Sequence, residues 1–272
     1  MLESPLHEHH LLRYKVDIED SPFRGYAKTA VIAFFDESDK KVMVFKFGAI
    51  SNREIFDKID KGEDINLNNA YVSNFSLTDY RVSKGLDDSV HIALKNFSAK
   101  KTFFDCDITN DFSYARFEGD KVIFDSVIYG NGSTNFGNAV FCDGDVSFKK
   151  AKFGSGSTNF QSVQFGNGLV SFNNTNVDFR NTYFGDGIVD FKFAKFSDGD
   201  ISFEKASFGK GKKDFKNVEF GGGKIDFRRV DFNDGDVSFD GTEFGDGKVS
   251  FRSARFGHGD KTFAQADFAR GE

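Results

Sequence analysis

The sequence predicts an all-β solenoid, and three features carry that prediction. From Phe112 to Phe268, 27 aromatic positions follow one another at spacings of five and seven; 26 are Phe and one is Tyr129. Self-similarity of this kind marks a stacked array of short units. Two positions before most of these aromatics stands a small or β-branched residue, as at Val122, Ala151, Val189, Ala206 and Val249. Period two then puts both residues on one face of a short strand and turns the residue between them outward. Ser147, Asn159, Asp214 and Ser250 occupy that outward place. Third, a glycine-bearing corner follows every second aromatic, as in Gly257-His258-Gly259-Asp260.

The spacing divides each twelve-residue unit at fixed places. Lys248-Val249-Ser250-Phe251 reads as one strand, Arg252-Ser253 as a two-residue corner, Ala254-Arg255-Phe256 as a second strand, and Gly257 to Asp260 as a longer corner. Glycine is expected at the long corner because it alone adopts positive φ cheaply. Fives and sevens do not sustain the 3.6-residue period of an amphipathic helix. Strands this short must pair with their equivalents one coil away, which stacks Phe on Phe in columns along the axis. Both prolines, Pro5 and Pro22, precede the array and leave its ladder uninterrupted. The rhythm breaks once, at Phe172 and Phe179, where a seven follows a seven as if a five-residue piece were deleted.

Three regions follow in order. Residues 1–62 lie outside the repeat and read as a small α+β cap. Within them "KTAVIAFFDESDKKVMVFKFG" is a hairpin, and "SNREIFDKIDKGE" is a short helix capped by Ser51 or Asn52. The hairpin strands are apolar on both faces, so a recognition module is an alternative to a cap that shields the first coil. Residues 63–109 read as five-residue coils with a loop near 83–91, and residues 110–272 as the Phe-rich β-helix.

In the second region "INLNNAYVSNFSLTDYRV" sets Leu67, Val72, Leu77 and Val82 five apart, with Ile65, Ala70, Phe75 and Tyr80 two positions earlier. This pattern resembles the pentapeptide-repeat proteins over roughly residues 63–268. The resemblance implies a right-handed four-sided β-helix. With two extra residues on every second side, four sides give a coil of 24 residues; a weaker likeness of residues 178–213 to 214–249 suggests a competing period of 36. Lys213 and Lys261, in inward positions, predict irregular corners around them.

The chain carries 36 Lys and Arg against 42 Asp and Glu, mixed throughout, for a net charge of -6. No basic stripe exists for nucleic acid, no apolar run reaches membrane-span length, and the first residues lack a secretory pattern. A cytoplasmic location is therefore expected, with no direct nucleic-acid or membrane binding. Cys106 and Cys142 read as reduced thiols. The repeated Asp143-Gly144-Asp145, Asp198-Gly199-Asp200 and Asp234-Gly235-Asp236 corners read as solvated turns; a Ca²⁺ ladder is broken by Lys210, Gly222 and His258. His7, His9 and His10 read as a flexible terminus. No nucleophile motif, phosphate loop, metal-ligand set or cofactor signature is present, so no enzymatic activity is expected.

Function is therefore expected from surfaces. The last coil, with Ala266 and Phe268, carries no capping device, which predicts a homo-oligomer or a protein partner there. End-to-end dimers in the family imply the same. The charged interruption at Lys84, Gly85, Leu86, Asp87 and Asp88 is a second interaction candidate, by analogy with the loops of family members that act on DNA gyrase. The leading expectation is a structural and protein-interaction scaffold. A DNA mimic directed at a topoisomerase or restriction factor is the alternative and needs a sustained acidic face, which Lys149, Lys192, Arg228 and Arg252 dilute. Ice or surface binding is a minor one, since the outward row lacks a regular Thr array.

Overall fold

The computed structural model describes residues 13–142, 145–165, 176–196 and 198–269. They form a β-solenoid of about 8 turns capped by a small sheet and a helix. Parallel pairing runs from each coil to the next, as in Thr134 opposite Thr158, Ile201 opposite Ile225 and Val237 opposite Lys261. Equivalent residues are 24 apart, which decides the period against 36. One coil is longer: Val146 pairs with Val177 and Thr158 with Val189, a step of 31. Every side of that coil moves by the same amount, so the break in rhythm is an insertion of seven residues and not a deletion of five. Phe172 itself lies outside the described residues.

Four stacks of rings fill the coil, one for each side. Phe203, Phe227 and Phe251 stack nearly parallel at centroid separations of 4.9 and 4.8 Å; Phe191, Phe215 and Phe239 do so at 5.0 and 4.8 Å. These spacings match the distance between neighbouring β-strands, so the backbone ladder dictates the ring ladder. Rings of different sides meet edge-on, as Phe136 does Phe148 at 5.6 Å and 90°. Parallel stacking along the axis and edge contacts across it both suit the aromatic quadrupole. The i−2 residues Val146, Ala151, Val189 and Ile225 close the remaining space and are fully buried.

The corners work differently from the expectation. Positive φ falls mostly on the short corners and on residues other than glycine, among them Lys150 (59°), Lys205 (59°), Asn217 (52°) and Ser253 (60°). At most short corners the outward residue before the Phe supports this turn: the Asp226 carboxylate and the Asn159 amide oxygen accept from the backbone N–H groups of Arg228 and Gln161. At the long corners most glycines meet a different demand. A Cβ on Gly223 or Gly247 would overlap the carbonyl of the glycine one coil earlier, so these corners stack backbone on backbone with no room for a side chain.

The cap contains one strand more than the hairpin read from sequence. Strands β1 (Arg13–Glu19), β2 (Lys28–Phe35) and β3 (Lys41–Ala49) form an antiparallel meander. Helix α1 (Asn52–Lys61) follows, with Ser51 at its N-cap in a capping box with Glu54. Strand β4 (Asp64–Asn66) opens the first coil and β5 (Ala70–Ser73) pairs parallel with β3, so the meander continues one wall of the solenoid. Helix α1 buries Ile55 in the coil core, with Phe56 and Ile59 packed against it.

The run of fives ends at Phe75. Residues Leu77–Lys84 form helix α2, with Ser76 as N-cap and Gly85 closing it in the left-handed conformation. Leu77, Tyr80 and Arg81 are its buried face, at helical spacing, whereas Val82 is 68% exposed. Strands β6 (Ile92–Ser98) and β7 (Phe103–Asp105) resume the coil. Tyr14 of β1 donates to Asp105 of β7 at 2.5 Å and meets Phe103 edge-on, so the meander rolls back over the outer face of that wall.

Candidate functional site

At the C-terminal end of the described coils, Phe256 and Phe263 are each 38% exposed and Phe268 is 49%. Their counterparts one coil below, Phe232, Phe239 and Phe244, are wholly buried. With Phe251 and Lys261 these rings line an open hollow of about 520 Å³. Ala266 is partly buried against the same core. Below this rim the N–H groups of Phe227, Phe232, Phe239 and Phe244 donate to Ser250, Arg255, Thr262 and Asp267 of the last coil. The corresponding groups of Phe251, Phe256, Phe263 and Phe268 meet no backbone acceptor among the described residues. Apolar rings and unpaired ladder groups therefore share one surface. The Lys261 ammonium folds back onto the carbonyls of Gly257 and Gly259.

Lys213 shows what a further coil does to a lysine in this column. It lies between Val189 and Val237 in unbroken register, 1% exposed, and its ammonium donates to the Asp234 carbonyl of the coil above. Burial lowers its pKa to about 8. The corners that receive the ammonium groups of Lys213 and Lys261 carry the expected irregularity: φ is positive at Asn233 (52°) and Gly235 (93°) around the Asp234 carbonyl, and at Gly259 (106°) beside Lys261.

The second candidate, Lys84 to Asp88, spans the end of α2 and the turn after it. Residues 82–91 are all exposed. The helix beneath is fixed by Arg81, whose guanidinium donates to the Ser113 carbonyl at 2.8 Å and to Thr78 Oγ1 at 2.8 Å. Lys84 pairs with Asp60 at 2.6 Å, and the Asp87 carboxylate accepts from Ser89, which holds it below its usual range. These residues are far in sequence from Ala266 and Phe268, and no contact joins the two sets.

The acidic corners bind their own backbone. Asp198, Asp200, Asp234 and Asp236 each accept from an N–H one coil on, at Gly222, Lys224, His258 and Asp260. The backbone N–H of His258 is the main reason the Asp234 pKa is lowered. Asp143 and Gly144 lie outside the described residues, as do His7, His9 and His10. Among the described residues no group of three or more His, Cys, Asp or Glu could hold a metal ion. Cys106 and Cys142 are buried and form no disulfide, and burial raises the Cys106 pKa to about 11. No helix of the described residues is long and apolar enough to cross a membrane.

Acids on the walls are interleaved with cations. Arg228 bridges Asp226 and Glu204, Lys195 pairs with Glu219, and Lys216 with Asp240. No family model, no curated protein and no solved structure matches this chain.

Proposed function

We propose that this protein is a non-enzymatic structural scaffold that associates with a second copy of itself through the open last coil. The observation that carries the reading is the exposure of Phe256, Phe263 and Phe268 at the end of stacks that are otherwise buried. Such a rim is both an apolar patch and an unpaired sheet edge, and proteins cover surfaces of that kind. A two-fold contact brings the same rim from both copies together, whereas at the opposite end α1 packs Ile55, Phe56 and Ile59 against the core. The interleaved wall charges favour a scaffold over a nucleic-acid mimic, which requires one continuous acidic side.

Light scattering across concentration tests the proposal. The intact protein is expected to double its mass as concentration rises, and a variant with Phe263→Glu and Phe268→Glu to remain a monomer. Both rings also cover Phe239 and Phe244 below them, so unchanged hydrogen exchange in the coils before Phe239 is the check that the variant stays folded. A wild type that stays monomeric throughout would sink the reading.

A further inference from the structure

The cap strands are apolar on both faces, and the fold covers only one of them. Ala30, Ile32 and Phe34 of β2 and Phe47 of β3 are buried against Tyr71 and Phe103 on the outer wall of the solenoid. On the opposite face Val31, Ala33 and Phe35 succeed one another along β2, Val31 and Phe35 half-buried and Ala33 buried between its neighbours, and Val44 stands directly beside Ala33 in the ladder. Val42 and Val44 are 43% and 46% exposed. Alternate residues of one strand and their cross-strand partners are contiguous, so these side chains form one ridge. An apolar ridge with a charged rim marks a contact surface.

That rim is mostly basic. Lys15 lies opposite Ala33 with its ammonium 5.6 Å from the Phe35 ring, Lys46 lies opposite Val31, and Arg13 and Lys41 flank Phe35 from the two sides. Asp17 and Glu19 are the acids on this face of β1. Arg13 pairs with Asp39 and Lys46 with Glu19, all strongly exposed, where such pairs contribute little and exchange readily. At the Phe35 end the ridge opens into a hollow of about 620 Å³ that also carries acids, with Asp39, Asp105 and Asp107 beside Arg13 and Lys15, so the basic stretch is the part along Lys15, Lys41 and Lys46.

We infer that this outward face of the meander binds a segment of a partner protein that carries acidic side chains around an apolar stripe. Apolar side chains of the partner lie along Val31, Ala33 and Val44, and its carboxylates meet Lys15, Lys41 and Lys46. The site is separate from the open coil and does not depend on association there.

The test uses the full chain and a synthetic amphipathic peptide with one Leu face and one Glu face, followed by backbone amide shifts. The expected result is saturable binding that moves the amides of Val31, Ala33 and Val44. Lys15→Glu combined with Lys46→Glu, both on exposed side chains, is expected to weaken binding at least about tenfold, the scale of a lost charge contact. The inference is overturned if the Lys-for-Glu version of the peptide binds equally well, or if the shifts fall elsewhere. It is equally overturned if phosphatidylserine vesicles move these amides and the peptide does not.

Discussion

Each Phe of the array has two roles, as a ring in a stack and as a wedge between neighbouring stacks. Phe227 lies between Phe203 and Phe251 and meets Phe239 edge-on at 5.7 Å, with no exposed surface. Phe227→Ala is therefore expected to cost about 3–5 kcal/mol in urea unfolding; a cost under about 1 kcal/mol would place the ring outside the core. Tyr129 continues a stack between Phe104 and Phe153, but its hydroxyl is buried without a hydrogen-bond partner. Removing that oxygen in Tyr129→Phe relieves a desolvated polar group and should stabilise the protein by about 1–2 kcal/mol. Lys213 also carries a buried charge. Its folded pKa, about 8, lies below its unfolded value of 10.5, so folding favours the neutral amine. The cost is full below pH 8 and fades as pH rises towards 10.5. Lys213→Val, which copies Val189 and Val237, should stabilise the protein at pH 7 by about 1–3 kcal/mol. That gain should shrink towards pH 10.5 in parallel urea titrations; an advantage independent of pH would contradict the account.

At the scale of elements, α2 stands where a wall of the first coil would otherwise be, and Arg81 holds it there. Asp111 accepts from Thr78 and lies 3.9 Å from the Arg81 guanidinium, so the helix is tied to the next coil by a small buried network. Arg81→Ala leaves the Ser113 carbonyl and Asp111 without that partner and is expected to cost about 3–5 kcal/mol. Hydrogen exchange should quicken first across Leu77–Lys84; uniform quickening over all coils would argue against a local anchor. This helix was legible and was masked by a competing pattern. Ser76 before Leu77 and Gly85 after Lys84 are cap signals, yet Leu77 and Val82 also prolong the fives. The buried set settles which period governs, because Leu77, Tyr80 and Arg81 follow the helix. Strand β1 was legible too, since Tyr14, Val16 and Ile18 alternate with charged residues. The Phe array was readable because one side-chain type marks every wall. The role of the long-corner glycines was not, because overlap between Gly247 and Gly223 depends on the stacking of coils and not on local chain conformation.

For the whole molecule, stability and interaction share one device. Every coil presents N–H groups and Phe rings to the next, and the carboxylates of Asp234 and Asp236 reach in the same direction. Among the described residues the last coil keeps its rings partly exposed and its Phe N–H groups without backbone acceptors. Of the sequence-level candidates, Ala266 and Phe268 fall on that rim, whereas Lys84 to Asp88 belong to a helix end on another part of the coil. The Phe columns that reach the rim were readable from the spacing, whereas the apolar ridge on the meander required the ladder register.

The central claim is that two copies meet rim to rim. Its most direct test is a dipolar distance measurement between spin labels placed at Ser253→Cys, an exposed corner of the last coil, with Ser38→Cys in the cap as a separate control. The native thiols are buried and should not take the label. The account predicts a defined intermolecular distance for the label at position 253 and none for the label at position 38. A defined distance at position 38, or at neither position when the protein is concentrated, would contradict it.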